Sequence, residues 1–300
     1  MEAEKGHRAV PRYPLVLVPG MLGFVKLCGM DYWYGITTAL RNQGVEVYPA
    51  RLSPVHATEL RGEQLLLQIA EARRRSGAQK VHLIGHSQGA LVCRYAAAHR
   101  PEWVASVTSV AGPNQGSELA DHLERKYASK SLRSLLMRMG THMLARLFTL
   151  LDGGLRGASL PINAIAAHRS LTTEGVGIFN HQYPQGLPTA WGEDGPEEVN
   201  GVRYYSWSGT LQPGVTDQGG NRRDPSNWFC RRFARTFVRE AGQCDGMVGR
   251  VSSHLGKVIR DDYPLDHLDI VNQHFGRVGE GVDPVGLYIE HLRRLHDAGL

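Results

Sequence analysis

Lys80-Val-His-Leu-Ile-Gly-His-Ser-Gln-Gly-Ala90 reads as a short apolar strand running straight into Gly85-His86-Ser87-Gln88-Gly89, a G-x-S-x-G turn of the nucleophile-elbow type. Two glycines flank the serine because a strand that reverses sharply into a helix crowds its own backbone, and a Cβ at either place would clash. The turn lifts the Ser87 hydroxyl clear of the sheet and leaves the Gln88 N–H, at the start of the next helix, free to bind an oxyanion. The five-residue pattern alone is weak in a chain with 35 glycines. Its setting is specific: Val81, Leu83 and Ile84 precede it, and Ala90 to Ala98 is a small-residue helix that packs close to strands.

A serine hydroxyl is a poor nucleophile until a base takes its proton. In folds that carry this elbow the partners follow in the order serine, acid, histidine. With 14 histidines, counting does not select one. Context favours the C-terminal stretch. Asp245-Gly246 is a turn signal after a polar run, and His267 lies in another turn, Asp266-His267-Leu268, beyond a strand-like segment from Leu255 to Ile259. His254 is the competing base; its plain reading is a hydrogen-bonded polar residue at a strand start.

The elbow, together with Pro19-Gly-Met-Leu-Gly-Phe24, Asp31-Tyr-Trp-Tyr-Gly35, Val47-Tyr48, Arg61-Gly-Glu-Gln-Leu65 and Tyr183-Pro-Gln-Gly186, resembles the bacterial family I triacylglycerol lipases of the Pseudomonas and Burkholderia type. Tyr204-Tyr-Ser-Trp-Ser-Gly209, Ser252-Ser-His-Leu-Gly256, His267-Leu-Asp269 and Val271-Asn-Gln273 extend the likeness over nearly the whole chain, from about Tyr13. The resemblance implies an α/β-hydrolase: a mostly parallel central sheet flanked by helices, with an inserted helical lid. It makes Ser87 the nucleophile, Asp245 the acid and His267 the base. It places the second oxyanion donor on Met21, beside that of Gln88; Leu15-Val-Leu-Val18 reads as a buried strand that Pro19-Gly20 breaks at the right place. It also implies one structural calcium ion, held by Asp224 and Asp269 with the carbonyls of Gln273 and Arg277, since calcium takes hard oxygen donors. The plain alternative makes Asp224 a turn residue before Pro225 and Asp269 a helix cap. Two departures stand out. Relatives usually carry His-Gly where this chain has Pro19-Gly20. Relatives with a disulfide place its halves at Trp191 and Val251 here. Cys230 and Cys244 are near enough in sequence to pair, but no spacing rule requires it, and free thiols are the expectation.

At 300 residues and 42% apolar content, without low-complexity runs, the chain is expected to form one domain over 1–300 with room for an insertion. Strand-like runs (Leu15 to Val18, Val45 to Pro49, Val81 to Ile84, Val104 to Val110, Arg203 to Ser206, Val258 to Arg260) alternate with helical ones (Tyr32 to Gln43, Arg61 to Ser76, Leu91 to Arg100, Val285 to Asp297). That alternation predicts a parallel sheet covered on both faces. From Leu119 to about Leu171 no strand signal appears. Leu132, Leu135, Leu136, Met139, Met143, Leu147, Leu150 and Leu151 recur mostly three or four apart as one face of a helix, with Arg133, Arg138, His142 and Arg146 opposite. Such a helix can pack on the domain, or serve as a lid that swings at a lipid surface; Gly140, Gly153, Gly154 and Gly157 are candidate hinges.

Net charge is +5, with the densest basic cluster at Arg222, Arg223, Arg231, Arg232, Arg235 and Arg239; a solvated face or attraction to an anionic interface both fit. No motif points to nucleic acid, and no apolar run of about 18 residues can span a membrane. Glu2, Glu4, Lys5 and His7 leave no apolar leader core before the first strand. A removed leader, export by another route and an intracellular enzyme therefore stay open, although the resemblance implies a secreted protein. It also implies a lipid ester as substrate and, as in many relatives with signal peptides, a lipase-specific folding chaperone as partner. The alternatives are a carboxylesterase for short soluble esters, and a lipid- or protein-binding pseudo-enzyme, which would have no need of all three triad residues.

Overall fold

The computed structural model describes residues 10–27, 29–127, 143, 145–147, 150–152 and 160–300. Its centre is a sheet of seven strands in the order β4 (Val47–Pro49), β1 (Leu15–Val18), β5 (Val81–His86), β6 (Val104–Val110), β8 (Val202–Gly209), with β7 (Glu198–Val199) and β9 (Lys257–Tyr263) both paired to β8. Every pairing is parallel except that of the two-residue β7. A small antiparallel ribbon, β2 (Lys26–Leu27) with β3 (Met30–Asp31), stands apart.

Strand β1 shows why the sheet must be covered on both sides. All four residues are buried, and because side chains alternate across a strand, Leu15 and Leu17 join one core while Val16 and Val18 join another. The first core is closed by helix α1 (Ile36–Asn42), through Ile36 and Leu40, and by the C-terminal helix Pro284–Asp297, through Tyr288 and Leu292. The second is closed by α2 (Thr58–Ser76), through Leu65 and Ile69, and by α3 (Gln88–His99), through Val92 and Ala96.

The expected helix from Tyr32 begins only at Ile36, where Gly35 sits in the left-handed region at φ 72°. Tyr32 and Trp33 peel away from it to pack edge-on with each other, and Trp33 packs likewise on Tyr288. Between β6 and β7 the regular elements among the described residues are helices, including α4 (Glu118–Tyr127), α5 (Ala164–Arg169) and α6 (Thr173–Gln182). Helix α7 (Pro225–Phe233) and the C-terminal helix, α8, complete the fold. Residues 143, 145–147 and 150–152 are helical, as the periodicity predicts. The rest of that periodic face, Leu132, Leu135, Leu136 and Met139, lies outside the described residues, as do Arg133, Arg138, His142 and the four candidate hinge glycines.

Candidate active site

Ser87 stands at the C-terminal end of β5 with φ 55° and ψ −128°, a conformation that few side chains adopt. The flanking glycines are needed for the steric reason given above. A Cβ on Gly85 would lie 2.4 Å from the Gly89 carbonyl oxygen, and one on Gly89 would lie 2.3 Å from that of Val18. The Ser87 N–H donates to the Val110 carbonyl (3.0 Å), which ties the elbow to the neighbouring strand.

His267 and Asp245 meet although 22 residues apart. His267 Nδ1 lies 2.7 Å from Asp245 Oδ2, both side chains are buried, and the His267 N–H donates to the Asp245 carbonyl (3.1 Å). Asp245 Oδ1 accepts from the N–H groups of Met247 (2.8 Å) and Val248 (2.7 Å), so the turn that Asp245-Gly246 signalled holds its carboxylate in place. The competing histidine is elsewhere: His254 contacts the Glu193 carbonyl and the Asp261 carboxylate.

Three side chains that sequence reasoning passed over bind this machinery together. His86, the residue before the serine, places Nε2 2.9 Å from the His267 carbonyl and Nδ1 2.6 Å from the Tyr32 hydroxyl, while that hydroxyl accepts from the Gly20 N–H (3.0 Å). A carbonyl can only accept, so Nε2 carries the ring proton and Nδ1 takes the Tyr32 hydroxyl proton; the network assigns the tautomer. Full burial, with His267 close by, holds His86 well below the usual histidine range, which keeps it neutral. Burial likewise raises the Tyr32 hydroxyl. The chain runs in one direction: Gly20 N–H, Tyr32 O–H, His86 Nδ1, His86 Nε2–H, His267 carbonyl.

Arg61, wholly buried on α2, donates to the carbonyls of Pro19 (2.7 Å) and Gly20 (2.8 Å) and to the Gln88 side chain. Burial lowers its guanidinium only to about 10, so it stays charged at neutral pH. With Gly20 N–H and Leu22 N–H both committed, the latter to the Pro54 carbonyl, Met21 between them has an N–H with no partner among the described residues. Gln88 opens α3, where an N–H has no carbonyl four residues back to accept it, and its side-chain amide is fixed on the His56 carbonyl and Ser170 Oγ. Both expected oxyanion donors are thus backbone groups on anchored loops. The sequence did carry a signal here: Tyr32 and Arg61 lie in two of the motifs that mark the family, and a buried arginine inside an amphipathic helix asks for carbonyl partners.

Asp224 and Asp269 are both buried. Asp224 does cap a helix: its Oδ1 accepts from the Ser226 N–H and hydroxyl (2.8 Å each), and His274 Nδ1 lies 2.7 Å away. Asp269 Oδ2 accepts from Asn221 Nδ2 (2.6 Å), whereas its Oδ1 is buried with no hydrogen-bond partner among the described residues. Burial, together with the Asp266 and Asp224 carboxylates, pushes the Asp269 carboxyl up to about 8. Asn272, His274 and Phe275 all hold left-handed backbone, at φ 56°, 52° and 62°, so the turn containing Gln273 is strained. Cys93, Cys230 and Cys244 are buried free thiols, while Cys28 lies outside the described residues.

Comparison with known proteins places this geometry in a family. Residues 53–211 match the family described as alpha/beta hydrolase fold. A triacylglycerol lipase from Pseudomonas fragi is 49% identical, over 96% of this chain and 98% of its own length. One from Vibrio cholerae is 45% identical over 96% and 89%, and one from Burkholderia plantarii 36% identical over 97% and 88%. Among solved structures, a Staphylococcus hyicus lipase superposes with a TM-score of 0.61 at 17% identity, over 96% of this chain and 97% of that one; at that identity it speaks for the fold alone. The chain belongs to the triacylglycerol lipase family of α/β hydrolases. Among the described residues no helix is long and apolar enough to cross a membrane.

Proposed function

We propose that this member of the triacylglycerol lipase family hydrolyses the carboxylic ester bonds of acylglycerols through an acyl-enzyme on Ser87. The observation that carries the reading is the buried Asp245–His267 contact, delivered to the residue next to the elbow serine by the His267 carbonyl's hydrogen bond with His86. Ser87 attacks the ester carbonyl while His267 takes its proton. Asp245 fixes the imidazole tautomer and stabilises the imidazolium that forms. The Met21 and Gln88 N–H groups receive the tetrahedral oxyanion, where the loss of one donor typically costs about 3–4 kcal/mol of barrier. His267 then protonates the leaving alkoxide, and water, activated by the same histidine, releases the fatty acid.

The helical residues 143, 145–147 and 150–152 belong to the lid, part of an insertion over about 119–171 in a single domain of 1–300. Support comes from its apolar side chains: Met143, Leu147, Leu150 and Leu151 are 70%, 50%, 49% and 49% exposed, while Ala145 packs with Val55 and Ala167 near Leu22, the neighbour of Met21. An apolar face turned to solvent beside the oxyanion loop suits a cover that has been moved aside.

Asp224 and Asp269, with the carbonyls of Gln273 and Arg277, would hold one calcium ion. Among the described residues no three His, Cys, Asp or Glu side chains converge as ligands; the proposed donor set has two carboxylates and relies on backbone oxygen for the rest. The residues fit a hard cation: two buried carboxylates with Asp266 nearby, one carboxylate oxygen without a partner, and a strained turn to be held. When bound, the ion supplies a structural cross-link between the start of α7 and the loop that carries His267.

Hydrolysis of p-nitrophenyl esters from acetyl to palmitoyl tests the reading, with calcium and after chelation, alongside the melting temperature. Rates should rise toward the longer acyl chains, fall on chelation together with the melting temperature, and drop about 10⁴- to 10⁶-fold in Ser87→Ala. Activity confined to the shortest esters and indifferent to chelator would favour a plain carboxylesterase. A Ser87→Ala protein with undiminished activity would remove the mechanism.

A further inference from the structure

Helix α7 is built inside out for a protein surface. Its inward side is small and polar: Ser226, Asn227 and Cys230 are buried, with Asn227 donating to the Asp266 carboxylate and the Thr216 carbonyl. Its outward side carries Trp228, 57% exposed, and Phe229, 48% exposed, whose rings meet edge to face with centroids 5.0 Å apart. Arg231 and Arg232 are exposed on the same helix, the Arg232 guanidinium 5.9 Å from the Trp228 ring. The chain continues through exposed Arg235 to Val238, 81% exposed, and to Arg239, which lies 3.3 Å over the ring of Trp191.

The charge around these rings is basic on balance. Arg222, Arg223, Arg231, Arg232, Arg235 and Arg239 are all exposed, whereas the carboxylates of Asp224 and Glu240 are buried. Among the described residues the Glu118 carboxylate is taken up by the Val238, Arg239 and Glu240 N–H groups, Glu193 and Asp194 are exposed just beyond Trp191, and Asp217 lies 3.9 Å from Arg231, a separation at which an exposed pair contributes little. Large apolar side chains grouped on a surface mark a contact site. The flanking charge selects its partner. Tryptophan favours the headgroup depth of a lipid layer, phenylalanine enters its acyl boundary, and exposed arginines are drawn to anionic lipid.

We propose that Trp228 and Phe229, with Arg231, Arg232, Arg235 and the Arg239–Trp191 pair, form a docking surface for an anionic phospholipid interface, distinct from the lid. It rests on the lipase reading only in that such an enzyme gains from adsorption; adsorption itself needs no turnover. Because α7 packs against Gly246 through Cys230 and against Asp266 through Asn227, docking here brings lipid to the flank of the loops that hold Asp245 and His267.

Co-sedimentation with vesicles tests this, using the full chain carrying Ser87→Ala so that no lipid is consumed. Binding to vesicles of phosphatidylcholine mixed with phosphatidylglycerol should be roughly tenfold tighter than to phosphatidylcholine alone, and should weaken with added salt. Two double variants, Trp228→Ala with Phe229→Ala and Arg232→Glu with Arg235→Glu, should each lose most of that preference. The same substitutions in the chain with Ser87 intact should leave p-nitrophenyl butyrate turnover and melting temperature unchanged. Equal binding to both vesicles, or double variants that bind like their parent, would overturn the proposal; so would loss of self-association as their only effect. A chain that binds the mixed vesicles yet hydrolyses no ester would keep the docking surface and remove the lipase reading.

Discussion

The floor of the proposed active site and the segment proposed as its cover are held by opposite means. On the floor, Arg61, Tyr32, His86, His267 and Asp245 are buried and joined in one hydrogen-bonded set that spans chain separations of up to 181 residues. On the proposed cover, four large apolar side chains face outward. Among the described residues Ala145 is buried among Val55 and Ala167, Arg146 donates to the Leu160 carbonyl (3.1 Å), and Asp152 accepts from the Val25 (2.8 Å) and Lys26 (2.6 Å) N–H groups while pairing with Arg51 at 2.9 Å. Fully burying one such apolar side chain is worth about 1.5–3 kcal/mol, so an apolar surface offered to all four would compete with these contacts. The floor is over-determined because a shift of an ångström there costs rate. Four apolar side chains turned to solvent suit the lid reading, in which the cover changes partners.

The sharpest way to break the contrast is Asp245→Asn. If the floor performs the chemistry, kcat should fall by about 10⁴-fold with little change in melting temperature; a drop of tenfold or less in single-turnover kinetics would mean that the His267 contact is only structural. Tyr32→Phe comes next. It leaves the Gly20 N–H and His86 Nδ1 without their shared partner, at about 1–3 kcal/mol for each orphaned group. It should lower kcat by roughly 10- to 100-fold at nearly constant KM, because it moves the oxyanion loop and not the substrate pocket.

A third test sits under the floor. Glu240 is buried and accepts from the Val251 (2.6 Å) and Ser252 (3.4 Å) N–H groups beyond the Asp245 turn, and burial raises its carboxyl from 4.5 to about 7. The folded chain keeps this proton after the unfolded chain has lost it. Its contribution is therefore present below about pH 4.5 and lost as the pH rises through about 7, a difference of about 3 kcal/mol. Glu240→Gln should flatten urea-denaturation stability across that window; an unchanged slope would mean that the carboxyl titrates normally. Asp152→Ala should do least. Arg51 is 41% exposed but Asp152 only 5%, and the change also orphans the Val25 and Lys26 N–H groups, so stability should fall by about 1–3 kcal/mol. Turnover of short soluble esters should hold, while activity on long-chain emulsions shifts two- to fivefold, a population change of about that size. Equal effects on both substrates would erase the distinction between floor and cover.

Local chemistry made the elbow, the glycine pair and the alternating strands legible, because a tight turn and a two-sided core each leave a pattern within a dozen residues. Helix ends near the site were harder to place. Tyr32 continues an apolar helical pattern, yet Gly35 releases it to reach His86, and no local propensity records a partner 54 residues away. Asp245 and His267 stood out only as turn residues until a family pattern singled them out. Arg61 was visible as a motif member without a task, since its acceptors are backbone carbonyls, which have no letter in a sequence.

The chain of hydrogen bonds from Gly20 to His267 makes two distant loops a single heritable part. A library that varies the Pro19–Met21 loop to alter acyl preference also edits the seat of His267, the proposed general base, unless Tyr32 and His86 are kept. Grafting either loop from another lipase will succeed or fail with that pair.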